Sequence, residues 1–292
     1  MRVPIDFSVS AYGVRVPRIV YGTAWKGERT ANLVEQAVSI GFRGIDTACQ
    51  PKHYHEMGVG EGLVRALRSG LTRSDLYLQT KFTPLQGQDP ARVPYDPRAS
   101  LSDQVAQSFE RSLQNLRTEY LDGLILHSPL PDPQQLMEVW QAMERLFDAG
   151  GARQIGISNC YDVDQLDQLW QAARIKPAIV QNRFYAATGY DSEVRALCRR
   201  CDILYQSFWT LTANPQVLAH NSLQTLAAHY RRTPAQIFFR YLTQSGIIPL
   251  TGTTTAAHMR EDLEIFGFAL RDSECELVTQ CLDQASSLGD TA

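Results

Sequence analysis

What most constrains the fold of this chain is a two-part unit that occurs eight times: a short β-rich run, then an amphipathic stretch long enough for a helix. The β-type runs fall at residues 18–21, 43–46, 76–81, 121–127, 153–158, 178–182, 203–206 and 246–249. Between them, Val105, Phe109, Leu113 and Leu116 share one helical face, and Leu166, Leu169, Trp170 and Ala173 repeat the pattern. Thr233-Pro234-Ala235-Gln236 reads as a capping box with proline at the first helical position. Gly150-Gly151 ends the helix that contains Trp140 and Leu146. Parallel strands need long crossovers, so this alternation favours a parallel sheet. Eight units predict closure into a (β/α)8 TIM barrel, one α/β domain spanning 1–292.

Two segments stand outside the repeat. The first fifteen residues, with Tyr12-Gly13 as a turn, are expected to form a β-hairpin covering the barrel floor. Residues 82–99 are rich in proline and glycine and too long for a purely structural connection, which marks a functional or mobile loop.

Composition excludes several classes of function. A net charge of −3 gives no electrostatic case for nucleic acid or an anionic membrane. No run approaches the roughly 18 apolar residues of a membrane span. The start, Met1 to Ser8, lacks the apolar core of a signal peptide, so the cytoplasm is the expected compartment. The six cysteines are then expected as thiols, and Cys198-x-x-Cys201 as a chance spacing. His53-x-His55 lacks a third ligand in a matching motif, so no metal is expected.

Barrel chemistry sits at the C-terminal strand ends. Asp46, Lys81, His127, Ser158-Asn159, Gln181 and Gln206-Ser207 all fall at such ends, and Tyr54 follows Asp46 within one loop. Singly, each has a plain reading: a helix cap, a core aromatic, a surface lysine, a satisfied histidine. Together and in this order, they make a set of proton-handling groups that packing does not explain.

In these residues the chain resembles the aldo-keto reductase family of NAD(P)H-dependent barrels. The family tetrad of Asp, Tyr, Lys and His corresponds to Asp46, Tyr54, Lys81 and His127. Gly22-Thr23-Ala24-Trp25, Asp46-Thr47-Ala48, Gly156-Ile157-Ser158-Asn159 and Met259-Arg260-Glu261-Asp262 extend the likeness from Arg18 to Leu282. The resemblance implies hydride transfer from the cofactor to the carbonyl carbon of an aldehyde or small ketone, with Tyr54 as general acid. In that reading Lys81 lowers the phenol pKa, Asp46 holds Lys81, and His127 polarises the carbonyl oxygen. The alternative is a cofactor-binding regulatory or sensor subunit with little turnover.

The resemblance further assigns Gly22 and Thr23 to the cofactor, and Ser158, Asn159 and Gln181 to the nicotinamide carboxamide. Gln206 stands where relatives stack an aromatic on the nicotinamide, and Tyr205 cannot replace it without a bulge because strand side chains alternate. Ser207 and Leu211 are candidates for the pyrophosphate. At the adenosine end, Gly252, Thr253, Thr254, His258, Glu261 and Asp262 replace a pattern in which relatives carry a lysine. A helix N-terminus there still suits phosphate. NADPH is therefore the expected cofactor, with NADH possible. Trp25 is expected to wall the substrate pocket, with Tyr95 as a further wall and His55 at the rim. The short segment beyond Leu282 predicts an open site with broad substrate range. The expected state is a monomer or weak dimer.

Overall fold

The computed structural model describes residues 6–289. Eight parallel strands close into a barrel: β3 (Val20–Gly22), β4 (Gly44–Asp46), β5 (Tyr77–Phe82), β6 (Gly123–Leu126), β7 (Ile155–Ser158), β8 (Ile179–Arg183), β9 (Leu204–Phe208) and β10 (Ile247–Thr251). Each pairs with its sequence neighbours, and β10 pairs with β3 to close the ring. Every run read as a strand overlaps one, and five of the strands extend one or two residues past the run. The capping box at Thr233 forms as expected, and Gly150 takes a positive φ of 75° where the chain leaves helix Pro133–Asp148.

Upstream lies an antiparallel pair, β1 (Phe7–Val9) and β2 (Arg15–Pro17), turning through Gly13. Val16 is fully buried in one apolar cluster with Val20, Ile125, Ile179 and Ile248 from inside the barrel. The Tyr12 hydroxyl donates to the Lys176 carbonyl at 3.0 Å. The hairpin thus closes the N-terminal end of the barrel as expected; the part of that expectation concerning residues 1–5 lies outside the described residues. At the other end of the described residues, 283–289 continue helix Asp272–Gly289; the rest of the stretch beyond Leu282 lies outside the described residues.

Alternation along the strands fixes what faces the barrel interior. In β8, Ile179 and Gln181 point inward, while Val180 joins the cluster beneath the helices. In β9, Leu204 and Phe208 share the inner face, with Gln206 between them. The interior is therefore layered, with aliphatic residues below, a layer of amides and the Asp46 carboxylate above them, and the site above that.

The outer helices approach unusually closely at one point. A Cβ on Gly60, in helix Glu56–Leu67, would sit 2.1 Å from the Asn115 carbonyl oxygen of helix Leu101–Leu116. A Cβ on Gly62 would sit 2.5 Å from the Ala31 carbonyl oxygen, in helix Thr30–Ile40 on the other flank. Glycine is a poor helix former, so its use here reflects this wedge between two backbones. Because the clash is with backbone, Gly60→Ala is expected to cost about 3 kcal/mol, the upper end of the overpacking range, against a gain of about 1 kcal/mol in helix propensity, a net loss of stability. Chemical denaturation checks this, and an unchanged midpoint would contradict the packing.

Candidate active site

The chain places Asp46 at the end of β4 and Lys81 near the end of β5, strands that are hydrogen-bonded neighbours. Their side chains form a buried ion pair, with Lys81 Nζ 2.6 Å from Asp46 Oδ1 and 2.7 Å from Oδ2. The third donor position of the ammonium is taken by the Thr47 carbonyl oxygen at 2.8 Å. The amides of Gln79 and Gln181 donate to Asp46 Oδ1 at 2.6 and 3.0 Å. Burial lowers the Lys81 pKa, and the Asp46 carboxylate works against that.

Tyr54 reaches the same place from the loop after β4, where its N–H closes a turn onto the Gln50 carbonyl at 3.0 Å. Lys81 Nζ lies 5.4 Å from its ring centre. The sequence reading expects Lys81 to draw the phenol pKa down. The structure has it raised, by burial first and by the Asp46 carboxylate second. All three ammonium donor positions are committed to Asp46 and Thr47, which leaves none to the resting phenol oxygen. Tyr54 is held as a protonated phenol.

His127 follows β6, its ring centre 6.0 Å from that of Tyr54. Burial, then the Lys81 ammonium, then His53, hold its pKa well below the usual imidazole range, so it is neutral. Its Nδ1 lies 2.7 Å from Thr83 Oγ1, and its carbonyl accepts from Asn159 Nδ2 at 2.8 Å. When the Thr83 hydroxyl donates to Nδ1, Nε2 carries the proton. Thr83 is itself fixed by the long loop: its carbonyl accepts from Tyr95 Oη at 2.8 Å and Gln88 Nε2 at 3.2 Å. Tyr95 is thus a buried brace against Phe82 rather than the pocket wall expected.

Tyr54, His127 and Asp46 open on one cavity of about 860 Å3. Of the remaining residues singled out in the sequence, Gly22, Trp25, Ser158, Asn159, Gln181 and Leu211 line it. At its β10 side so do Gly252, Thr253, His258, Glu261 and Asp262. Burial pushes the Asp262 carboxyl up to about 6, against the Thr251 hydroxyl that donates to it at 2.7 Å. Trp25 is 63% exposed at the rim. Its ring lies against His53 with centres 3.8 Å apart and planes tilted by 37°. His53, and not the exposed His55, lines the cavity.

Four assigned side chains lie elsewhere. The Thr23 hydroxyl donates to the Asp46 carbonyl at 2.9 Å and braces that strand end. Ser207 is fully buried, its hydroxyl accepting from Thr210 at 2.9 Å. Thr254 is exposed outside the cavity. Gln206 does not take the place of a stacking aromatic: it is fully buried in the amide layer, with Oε1 accepting from Gln79 and Gln181 at 2.8 Å each. The aromatic that β9 sends to the cavity is Phe208, two residues on and on the same strand face. Tyr205 faces the other way, its hydroxyl 2.8 Å from Asp191. The cavity also holds a cation that the sequence reading does not anticipate. Lys26, next to Trp25, crosses to donate to the Gly252 carbonyl. Above β10, helix Ala256–Leu263 opens without a side-chain cap at Thr255, leaving positive N-terminal backbone groups on the same side.

Among the described residues no helix is long and apolar enough to cross a membrane. The family model for the Aldo/keto reductase family matches residues 18–283. An uncharacterised oxidoreductase of Bacillus subtilis is 30% identical over 266 residues, spanning 90% of this chain and 88% of its own length. The glyoxal reductase of the same organism is 28% identical over 91% of this chain and 89% of its own. Among solved structures, an aldo/keto reductase from Brucella melitensis superimposes with a TM-score of 0.80 at 25% identity, over 95% of this chain and all (100%) of that one. With the barrel closed and a family match across all eight of its strands, this chain belongs to the Aldo/keto reductase family, a family of NAD(P)H-dependent oxidoreductases.

Proposed function

We propose that the chain reduces aldehydes and small ketones with NADPH, using Tyr54 as general acid and Asp46, Lys81 and His127 in support. The observation that carries this reading is the convergence of a protonated phenol and a neutral imidazole on one cavity, directly above a buried lysine–aspartate pair. That two relatives are named glyoxal reductase and methylglyoxal reductase favours small aldehydes as substrates.

The cavity fits a dinucleotide by the chemistry of its lining. Polar side chains that suit a carboxamide (Ser158, Asn159, Gln181) lie towards the tetrad. On the β10 side, Lys26 and the uncapped helix N-terminus suit phosphate. Gly252 is open to close approach, since a Cβ there would meet nothing nearer than Lys26 Nζ at 3.4 Å. Ser158, Asn159 and Gln181 would hold the nicotinamide end, and Leu211, Gly252, Thr253 and His258 the phosphates, with Glu261 and Asp262 beside the adenosine. NADPH, when bound, supplies the hydride to the carbonyl carbon.

The protein supplies the proton and the field. His127 Nε2–H donates to the carbonyl oxygen, which polarises it and aims it at Tyr54. Tyr54 then gives its proton to that oxygen as negative charge develops there. The phenolate left behind lies beside the Lys81 ammonium, which stabilises it more than the neutral phenol. Asp46 keeps that ammonium charged in a buried site. Thr83 fixes the imidazole tautomer that can donate toward the cavity.

Tyr54→Phe removes the acid and leaves the ring, so it is expected to retain cofactor binding and to lose turnover by about 10²-fold or more, the scale of a missing general acid. Steady-state nicotinamide oxidation measures this; rates near wild type would end the assignment of Tyr54. For the cofactor, fluorescence titration is expected to give tighter binding of NADPH than of NADH, with Lys26→Met weakening NADPH. Tighter NADH binding would reverse the preference.

A further inference from the structure

The reduction scheme leaves one cavity group without a task. Arg183 ends β8, two residues beyond Gln181, and lines the same cavity as Tyr54 and His127. Strand alternation puts it on the inner face, one layer above the Gln181 amide and level with its register partner Phe208. Among the described residues its side chain makes no hydrogen bond or ion pair, and Nε is buried with no partner. The guanidinium is instead held by aromatic rings, 4.3 Å from the centre of Trp209 and 5.2 Å from that of Tyr185.

This is a costly way to keep a cation. Partial burial without an anion is unfavourable, and stacking on rings offsets only part of the penalty. The rings supply no acceptor in the guanidinium plane to its N–H groups, and a carboxylate or phosphate is the group that pairs with a guanidinium through parallel hydrogen bonds. The acidic side chains of the cavity do not answer it. Asp46 is committed to Lys81, while Glu261 and Asp262 stand behind β10, across β9 from Arg183.

Arg183 is also tied to the reacting end of the cavity. Its backbone N–H donates to Tyr161 Oη at 3.1 Å, and that hydroxyl donates to Asn159 Oδ1 at 3.2 Å. Asn159 in turn holds the carbonyl of His127. Positive charge for the cofactor phosphates is already provided on the β10 side by Lys26 and the helix N-terminus, so a cation above β8 answers a second anion.

We infer that Arg183 is an oxyanion subsite for the substrate, so that the preferred carbonyl compounds also bear a carboxylate or phosphate. This rests on the reductase reading above and narrows its substrate class.

The test compares matched substrates: 4-oxobutanoate against butanal for a carboxylate, and glyceraldehyde 3-phosphate against glyceraldehyde for a phosphate. In the wild-type enzyme the anionic member of at least one pair is expected to have the higher kcat/KM, on the order of 10- to 100-fold, the scale of a charged hydrogen bond. Most of that gain is expected in KM, and the pair that responds identifies the oxyanion. Arg183→Leu, with its fold checked by circular dichroism, is expected to bring the ratio close to 1, and Arg183→Lys to keep part of it. Should Arg183→Leu not fold, the wild-type ratio must still shrink as KCl is raised, because an ionic preference is screened; a ratio insensitive to salt then overturns the subsite. Ratios near 1 in the wild type, or a ratio unchanged in Arg183→Leu, overturn it as well. Weakened NADPH binding in Arg183→Leu with the ratio intact would assign the guanidinium to the cofactor diphosphate instead, against the proposal. Turnover of the neutral aldehydes without an anionic preference removes only the subsite. No turnover of any of the four removes the reductase reading with it.

Discussion

The buried contact between Lys81 and Asp46 is the constraint on which the site depends. Both side chains are almost wholly removed from water, a state that is unfavourable unless the pair is well made and its remaining valences are filled. Here they are filled from three other positions: the Thr47 carbonyl takes the third ammonium donor, and Gln79 and Gln181 donate to the carboxylate. Gln206 completes the layer by accepting from both amides. The ion pair therefore ties β4, β5, β8 and β9 together at one level of the barrel. It also sets the electrostatics of what lies above. Tyr54 is kept a phenol by burial and by the Asp46 carboxylate, while His127 is kept neutral by burial and by the nearby ammonium. The resting site is thus a pair of uncharged hydrogen-bond donors over a buried ion pair, the arrangement on which the proposed reduction draws when negative charge develops on a carbonyl oxygen.

Backbone geometry at the cavity mouth carries a second constraint. Trp25 and Trp209 both take left-handed backbone angles, with φ of 61° and 54°, and both are substantially exposed. A bulky residue with positive φ is uncommon and costs roughly 1–3 kcal/mol where it occurs. Each indole is held by a polar neighbour: Trp25 lies against His53, and Trp209 against Arg183. The strain places two large apolar surfaces at the rim, where they screen the polar floor from water.

Much of this was legible in the sequence, and the reason is periodicity. Eight β-rich runs separated by helical stretches imply a barrel, and a barrel implies that residues at the ends of those runs meet. Asp46, Lys81 and His127 stand out on that ground, and Tyr54 by its place in the loop after Asp46. What remained hidden depends on which layer and which direction a side chain takes. Gln206 has the right strand and face but lies one layer too low, so Phe208 fills the cavity; counting two residues along β9 would have found it. Lys26 crosses a loop to reach Gly252, and Thr83 reaches His127 from the strand beside it, contacts between segments that no local pattern encodes. Arg183 carried a weak signal, a charge two residues beyond Gln181 on an inward-facing strand position, but only its neighbours reveal that the charge is unpaired.

If the Lys81–Asp46 contact is the unit that organises catalysis, its members must act together rather than singly. The most direct measurement is a double-mutant cycle on the hydride-transfer step, followed by stopped-flow absorbance under single-turnover conditions. It uses Lys81→Met, Asp46→Asn and the two combined. The account predicts strong non-additivity: Lys81→Met slows the step by about 10³-fold or more, and adding Asp46→Asn slows it little further. Losses that multiply across the two sites, or a Lys81→Met rate within a few-fold of wild type, would contradict it.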